Sequence, residues 1–315
     1  MSTSAEVAVV LINWQKPLEV AATVLGITLQ TYRHMRIYII NNGDPSKLRV
    51  ALLPLADVPV SVIETGRNTG FSGACNLALE RASADGVDFL WFLNTDTRLT
   101  PTCLSALMTD AGRHAEAGMF SPIVRNDEPG YPVWVAGGRF DANRASFHWF
   151  TTEADGLNCA AASPHQLMLP GTALLIRRQA FEQIGPMDER LFAYHEDVDF
   201  SIRADRLGIN RRLVSNAELF HHHRAGDLPA PHVGYYTARN ALLLARKYAP
   251  IGIVLRHFYW DFRRLRRESV HPNRDAALYN ARALGFWHGL TGVGGEMAAA
   301  AAVPRWLSAL LGGKG

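Results

Sequence analysis

Cysteine is scarce: three residues in 315, at positions 75, 103 and 159, too far apart for a disulfide scaffold and without metal-ligand spacing for a zinc ribbon. That usage fits a reducing, cytoplasmic compartment. Charge of one sign is scarce too. With 32 basic and 29 acidic residues the formal charge is only +3, so there is no whole-molecule electrostatic case for a nucleic-acid partner. No uninterrupted apolar run reaches the roughly 18 residues that a membrane span requires. The nearest approach, "GFWHGLTGVGGEMAAAAAVPRWLSALL", is broken by Glu296, Pro304, Arg305 and several glycines, so a surface association is the most it suggests. The N-terminal "MSTSAEVAVVLINWQ" has no basic segment leading into a long apolar one, and is not expected to be a signal peptide. The dinucleotide fingerprint G-x-G-x-x-G is also missing.

What is present is an ordinary globular composition, 48% hydrophobic and 19% charged, in a chain long enough for one large or two modest domains. The apolar runs "VAVVLIN" (7–13), "RIYIIN" (36–41), "VPVSVIE" (58–64) and "VDFLWFLN" (87–94) predict buried strands. Helical spacing falls between them at 17–30, around 47–53 and at 71–83, which predicts an α/β fold with a mostly parallel sheet. From about residue 117, "MFSPIVRN", "YPVWVAGGRF", "ASFHWFTTE" and "HQLMLPGTALLIRR" predict short antiparallel strands added at the sheet edge. A helix is expected at 196–208. After "INRRLVSNAELFHHH" the chain turns helical to about residue 290.

Four stretches carry chemistry. "VDFLWFLNTDTRLTP" empties a strand into a polar turn bearing Asp96, the kind of place where open α/β sheets keep their sites. "ETGRNTGFSGACNLAL" sets Gly66, Gly70 and Gly73 in a loop that opens a helix, suited to close approach by an anion and equally to a tight turn. "LFAYHEDVDFSIRADRLG" crowds His195, Glu196, Asp197 and Asp199 together at a helix start. One or two acids there would serve the helix dipole; a cluster suggests mutually raised proton affinities and a general base. In "ELFHHHRAG", strand alternation puts His221 and His223 on one face and His222 on the other.

The order "VVLINW", "NNGD", "GRNTGFSGACNLAL", "FLNTDTRL", "GTALLIRRQAFEQIGPMDERLFAYHEDVDFSIRADRLG", "YYTARN" resembles the family 2 glycosyltransferases, in particular the bacterial rhamnosyltransferase-like branch, from about residue 6 to 247. The resemblance implies a GT-A fold and transfer of a sugar with inversion from a nucleotide diphosphate, aided by Mg²⁺ or Mn²⁺. It implies a catalytic domain over 1–247, followed by a C-terminal helical region over 248–315. By resemblance, Asn13, Asn41 and Asn42 hold base and ribose, although many relatives carry Asp-Asn-Ala/Gly-Ser where this chain has Asn41-Asn42-Gly43-Asp44. Arg67, Asn68, Gly70, Phe71 and Asn76 match the Asn-x-Gly-Phe loop beneath nucleotide and diphosphate. Asn94-Thr95-Asp96 stands in place of Asp-x-Asp, with Thr95 at the nucleotide and Asp96 and His221 as metal ligands. Asp197 matches the general base, Glu196 and His195 its neighbours toward the acceptor. Gly171 and Thr172 frame donor sugar and acceptor, and Arg239 meets the departing phosphate.

TDP-rhamnose is the first donor expected by resemblance and a UDP-hexose the next. The expected acceptor is a glycan or polyprenol-linked glycan in cell-surface polysaccharide synthesis. "IGIVLRHFYWDFRRLRRESV" (251–270) combines apolar helical spacing with five arginines. It is either an interfacial helix at the inner face of the cell membrane or an ordinary packed helix, and pairing into a homo-oligomer is left open. Rival readings are another nucleotide-using α/β enzyme and a non-catalytic nucleotide- or glycan-binding relative. The missing fingerprint opposes the first. Asn94 favours the second, whereas Asp96, Glu196 and Asp197 oppose it.

Overall fold

The computed structural model describes residues 5–141, 143–222, 228–298 and 301–312. His223 lies outside them. The chain divides into two compact units: Met1–Arg139, His148–Met187 and Asp197–Ala225 form the first, and Phe140–Phe147, Asp188–Glu196 and Gly226–Gly315 the second.

In the first unit, strands β1 (Val7–Asn13), β2 (Met35–Asn41), β3 (Val60–Glu64) and β4 (Phe89–Leu93) alternate with helices α1 (Pro17–Thr28), α2 (Pro45–Leu52) and α3 (Gly70–Asp85). There follow β5 (Thr97–Leu99), α4 (Cys103–Arg113), β6 (Ala117–Asn126), β7 (Val133–Val135), β8 (Gly138–Asp141), β9 (Ser146–Trp149) and α5 (Glu153–Ala162). Then come β10 (Ala173–Arg177), α6 (Arg178–Ile184), α7 (Glu196–Arg206) and β11 (Asn210–His221). The main sheet has the order β3-β2-β1-β4-β10-β6-β11-β5, with β7 paired to β6, while β8 and β9 form a separate ribbon.

The strands β1 and β4 read as unbroken apolar runs because both sheet faces are covered there, whereas β3 is at the edge and largely exposed. Successive side chains alternate sides. Val7, Val9, Leu11, Trp91 and Leu93 pack on one face with Val20, Val24 and Ile27 of α1. Ala8, Val10, Leu90 and Phe92 pack on the other with Ala74, Cys75 and Ala78 of α3. The same rule corrects one expectation. "HQLMLPGTALLIRR" does not add a strand at the edge, since β10 enters the middle of the sheet, antiparallel to both β4 and β6. Leu174 and Ile176 feed one core and Ala173 and Leu175 the other, so this strand needs cover on both faces. β6 is likewise interior, parallel to β11. The helix α5 carries its own start signal: Thr152 Oγ1 accepts from the Asp155 amide at 3.2 Å, a cap visible in the spelling T-E-A-D.

The second unit contains α8 (Pro231–Tyr248), α9 (Ile251–Ser269), α10 (Ala276–Thr291) and α11 (Arg305–Leu311). α8 and α10 approach closely because α10 is notched by glycine. A Cβ at Gly285 would lie 2.3 Å from the Tyr235 carbonyl oxygen, and one at Gly289 2.7 Å from that of Arg239. Leu242, Leu265, Tyr279, Phe286 and Leu307 form the core. Among the described residues, no helix is long and apolar enough to cross a membrane.

Candidate active site

Parallel, in-register strands bring their last residues into one row. Asn13 stands opposite Asn41 and Asn41 opposite Glu64, at the carboxyl ends of β1, β2 and β3. Asn13 Nδ2 donates to Asn41 Oδ1 at 2.7 Å, and Asn41 Nδ2 to Glu64 Oε2 at 2.7 Å. The Gly43 amide also donates to Asn41 Oδ1, at 3.1 Å. Gly43 fits here because a Cβ would come within 3.1 Å of Asn13 Nδ2. Asn42 ties the row to the next loop: its Oδ1 accepts from the Thr69 amide and hydroxyl, and its Nδ2 donates to the Gly70 carbonyl.

These contacts revise the expected nucleoside set. Asn41 and Asn42 spend their side-chain groups on the protein and build the floor of the row instead of presenting those groups to a ligand. Asn13 differs, because its Oδ1 is buried and has no hydrogen-bond partner among the described residues. A buried orphan acceptor is costly unless something donates to it. Asn76 is also corrected: its amide makes a reciprocal pair with the Met187 backbone, at 3.1 and 2.7 Å, and so pins that segment to α3. In the glycine loop, Gly70 has φ +70°, and its N–H donates to Asn68 Oδ1 at 3.1 Å. Arg67 is exposed beside it.

The turn that follows β4 is fixed from three sides. Thr97 Oγ1 donates to the Asn94 carbonyl, Thr23 Oγ1 to the Thr95 carbonyl, and the Asn94 amide to the Thr172 carbonyl, at 2.7, 2.8 and 2.9 Å. Asp96 Oδ1 lies 3.2 Å from Nε2 of His221, which β11 delivers from far along the chain. Burial pushes the Asp96 carboxyl up, but the hydrogen bond and charge of His221, with the charge of Lys16, more than offset this and hold it below its ordinary value. Trp134 of β7 stacks on the His221 ring, centroids 4.4 Å apart and planes 16° apart. His222 faces elsewhere and pairs with Asp127 at 3.3 Å. The carboxylate oxygen and the ring nitrogen, once the imidazole has given up its proton, suit a divalent cation that takes its remaining ligands from a diphosphate. Among the described residues, no group of three or more His, Cys, Asp or Glu could hold a metal by itself.

Gly171 and Thr172 link this turn to Asp197. The Gly171 amide donates to Asp197 Oδ2 at 3.0 Å, and the Val198 amide to Oδ1 at 2.8 Å. A Cβ at Gly171 would sit 3.5 Å from the Phe71 ring and 3.6 Å from Asp197 Cβ, so glycine loop, strand end and acid are neighbours. Burial raises the Asp197 carboxyl above its ordinary range against the opposing pull of those two amides. The cause expected from sequence, crowding by other carboxylates, is thus replaced by desolvation. Asp199 is fully buried and paired with Arg203 at 2.9 Å, a structural role.

Within the second unit, Phe192, Tyr194 and His195 all have positive φ, between 65° and 67°, a costly conformation outside glycine. Asn240 holds the segment by donating Nδ2 to the carbonyls of Leu191, Ala193 and Tyr194. Arg239 is fully buried and donates to the carbonyls of Arg190, Leu191 and Gly295, to Asn240 Oδ1 and to Tyr235 Oη. Its guanidinium is committed to the protein, which corrects the expectation that it meets a departing phosphate. His195 packs edge-on against Phe147, and burial pushes its pKa down to about 4. Glu196 is buried at the start of α7. Glu64, Thr69, Trp134 and Asn240 were not singled out from sequence. For Glu64 the signal was available, as the last residue of a strand run aligned with Asn13 and Asn41.

Known proteins are similar in sequence and in fold. The chain is 28% identical over 245 residues to an N-acetylglucosaminyl-diphospho-decaprenol L-rhamnosyltransferase of Mycobacterium tuberculosis, covering 71% of this chain and 79% of that protein. It is 24% identical over 218 residues to the dTDP-rhamnosyl transferase RfbF of Shigella flexneri, covering 64% and 69%. The solved structure of GalNAc-T7 with UDP, GalNAc and Mn²⁺ superposes with a TM-score of 0.56 at 17% identity, over 92% of this chain and 55% of that one, and the shared fold is GT-A. The Glycosyl transferase family 2 model covers residues 8–185, from the first strand through Asn13, the glycine loop, Asp96 and Gly171. A row of polar strand ends, a glycine loop and a turn acid thus fall inside that match, and the chain belongs to glycosyl transferase family 2.

Proposed function

We propose that this glycosyltransferase moves L-rhamnose from TDP-rhamnose to a hydroxyl of a lipid-linked glycan, with inversion and with help from Mg²⁺ or Mn²⁺. The observation that carries the catalytic part is Asp197: a carboxyl of raised proton affinity, oriented by two amides and adjoining Phe71 and Gly171. A base with elevated pKa accepts a hydroxyl proton with better driving force than an ordinary aspartate. As the acceptor oxygen bonds to the anomeric carbon, its proton passes to Asp197 and the bond from that carbon to the diphosphate oxygen breaks on the opposite face. Asp96 and His221 are the residues to hold the cation, which when bound neutralises diphosphate charge. Asn13 Oδ1 suits the N3–H donor of thymine or uracil; the similarity to an L-rhamnosyltransferase and to a dTDP-rhamnosyl transferase supports TDP-rhamnose as donor.

Incubation with a panel of nucleotide sugars and a lipid-diphosphate-linked N-acetylglucosamine acceptor tests the reading, with the product's anomeric configuration read by NMR. Turnover of TDP-rhamnose with an inverted product is expected. Retention of configuration would remove Asp197 as base in a single displacement, and preference for a UDP-hexose would replace the donor.

A further inference from the structure

We propose that an arginine-lined groove in the second unit binds the phosphate group of an anionic lipid headgroup. This site lies outside the proposed transfer chemistry and does not depend on it. The groove, of about 390 Å³, is lined by Arg264, Arg267, His271, Arg274 and Arg282, together with Leu228. Two acids share the lining and both are engaged. Glu268 pairs with Arg282 at 2.9 Å, and Asp275 caps α10 by accepting from the Leu278 amide at 2.8 Å. Arg274 lies over the Tyr279 ring, 4.5 Å from its centroid. Among the described residues, Arg264 makes a long ion pair with Asp261, at 3.8 Å. The groove therefore keeps an excess of planar guanidinium donors, the geometry that takes phosphate oxygens in pairs.

Surroundings distinguish a lipid-borne phosphate from a soluble one. Trp260, Arg264 and Arg267 follow each other at i, i+4 and i+7, with His271 just past the helix end, so one stripe of α9 leads from an exposed indole into the groove. Trp260 is 56% exposed and Leu228 69%, and Leu255, Tyr259 and Ile251 are exposed further along the helix. The exposed side of α9 also carries Arg256, Arg263 and Arg266, whereas its two acids, Asp261 and Glu268, are partly buried. A soluble anion has no use for an apolar, aromatic border. A bilayer surface meets both parts, its phosphates the arginines and its acyl boundary the indole and leucines.

The test uses the full chain and co-sedimentation with vesicles of phosphatidylcholine alone or mixed with phosphatidylglycerol. Wild-type protein is expected to prefer the anionic vesicles and to lose that preference at high salt. The R264Q/R267Q variant should bind them at least about tenfold more weakly, while R49Q, a control on α2, should not change. Circular dichroism and the thermal midpoint check folding. Independently of the arginine variants, brominated acyl chains should quench wild-type tryptophan emission, and less so in W260F. Equal vesicle affinity of the double variant and wild type would overturn the proposal. So would calorimetric binding of inorganic phosphate by a wild-type protein that ignores anionic vesicles.

Discussion

Replacing Asn240 with alanine withdraws one donor from three carbonyls at once, those of Leu191, Ala193 and Tyr194, at 2.9, 2.9 and 2.6 Å. Leu191 keeps Arg239, at 2.7 Å, so the loss falls mainly on Ala193 and Tyr194. A buried acceptor deprived of its donor costs roughly 1–3 kcal/mol, which gives about 2–6 kcal/mol for the pair if the loop stays in place. The loop has an alternative. Phe192, Tyr194 and His195 sit in the left-handed region, where a non-glycine residue costs about 1–2 kcal/mol. Leaving that region returns strain comparable to the lost bonding. The expected outcome is a stability loss near the lower figure, together with faster amide exchange across 192–196 and lower turnover, because Asp197 follows directly in the chain. Urea unfolding, hydrogen exchange and donor turnover measure the three parts. Asn240→Asp, which replaces the donor by a repelling carboxylate, should be worse than alanine on each. Unchanged exchange at 192–196 with full turnover in the alanine variant would refute the clamp.

Asp197→Asn should reduce transfer by about 10²–10⁴-fold while leaving nucleotide binding intact, measured by turnover and calorimetry. Since burial raises the Asp197 pKa, its charged form appears only above the ordinary aspartate range. The acid limb of kcat should therefore lie above that range, and a limb at the ordinary aspartate value would contradict the assignment. Asp96→Ala should weaken nucleotide binding in the presence of Mn²⁺ much more than in its absence, a difference that thermal shift with TDP or UDP reads directly. His195 has a folded pKa of about 4 against 6.5 for the free side chain. The unfolded chain binds the extra proton, so stability should fall as pH drops from about 6.5 toward 4. His195→Phe should flatten that part of the profile.

The sheet was legible because burial on both faces writes strands as continuous apolar runs, as in "VAVVLIN" and "FLWFL". Order and spacing of short motifs then identified the family, and the catalytic candidate Asp197 came with them. The insertion of β10 into the sheet centre was not legible, since apolar alternation does not say which strands it will meet. The resemblance placed Asn76, Asn42 and Arg239 toward a ligand, yet each spends polar groups on backbone or loop partners that sequence proximity does not reveal.

Sequence alone determined the kinds of group available: carboxylates at 96 and 197, a histidine at 221, glycines where the backbone must turn, and asparagines at strand ends. Only the tertiary structure decided which of them meet. Asp96 and His221 are 3.2 Å apart because β5 and β11 pair at the sheet edge, and Asp197 acquires its raised pKa from burial beside Gly171. Hydrogen-bond partners and desolvation are properties of packed neighbours, and those neighbours come from distant parts of the chain.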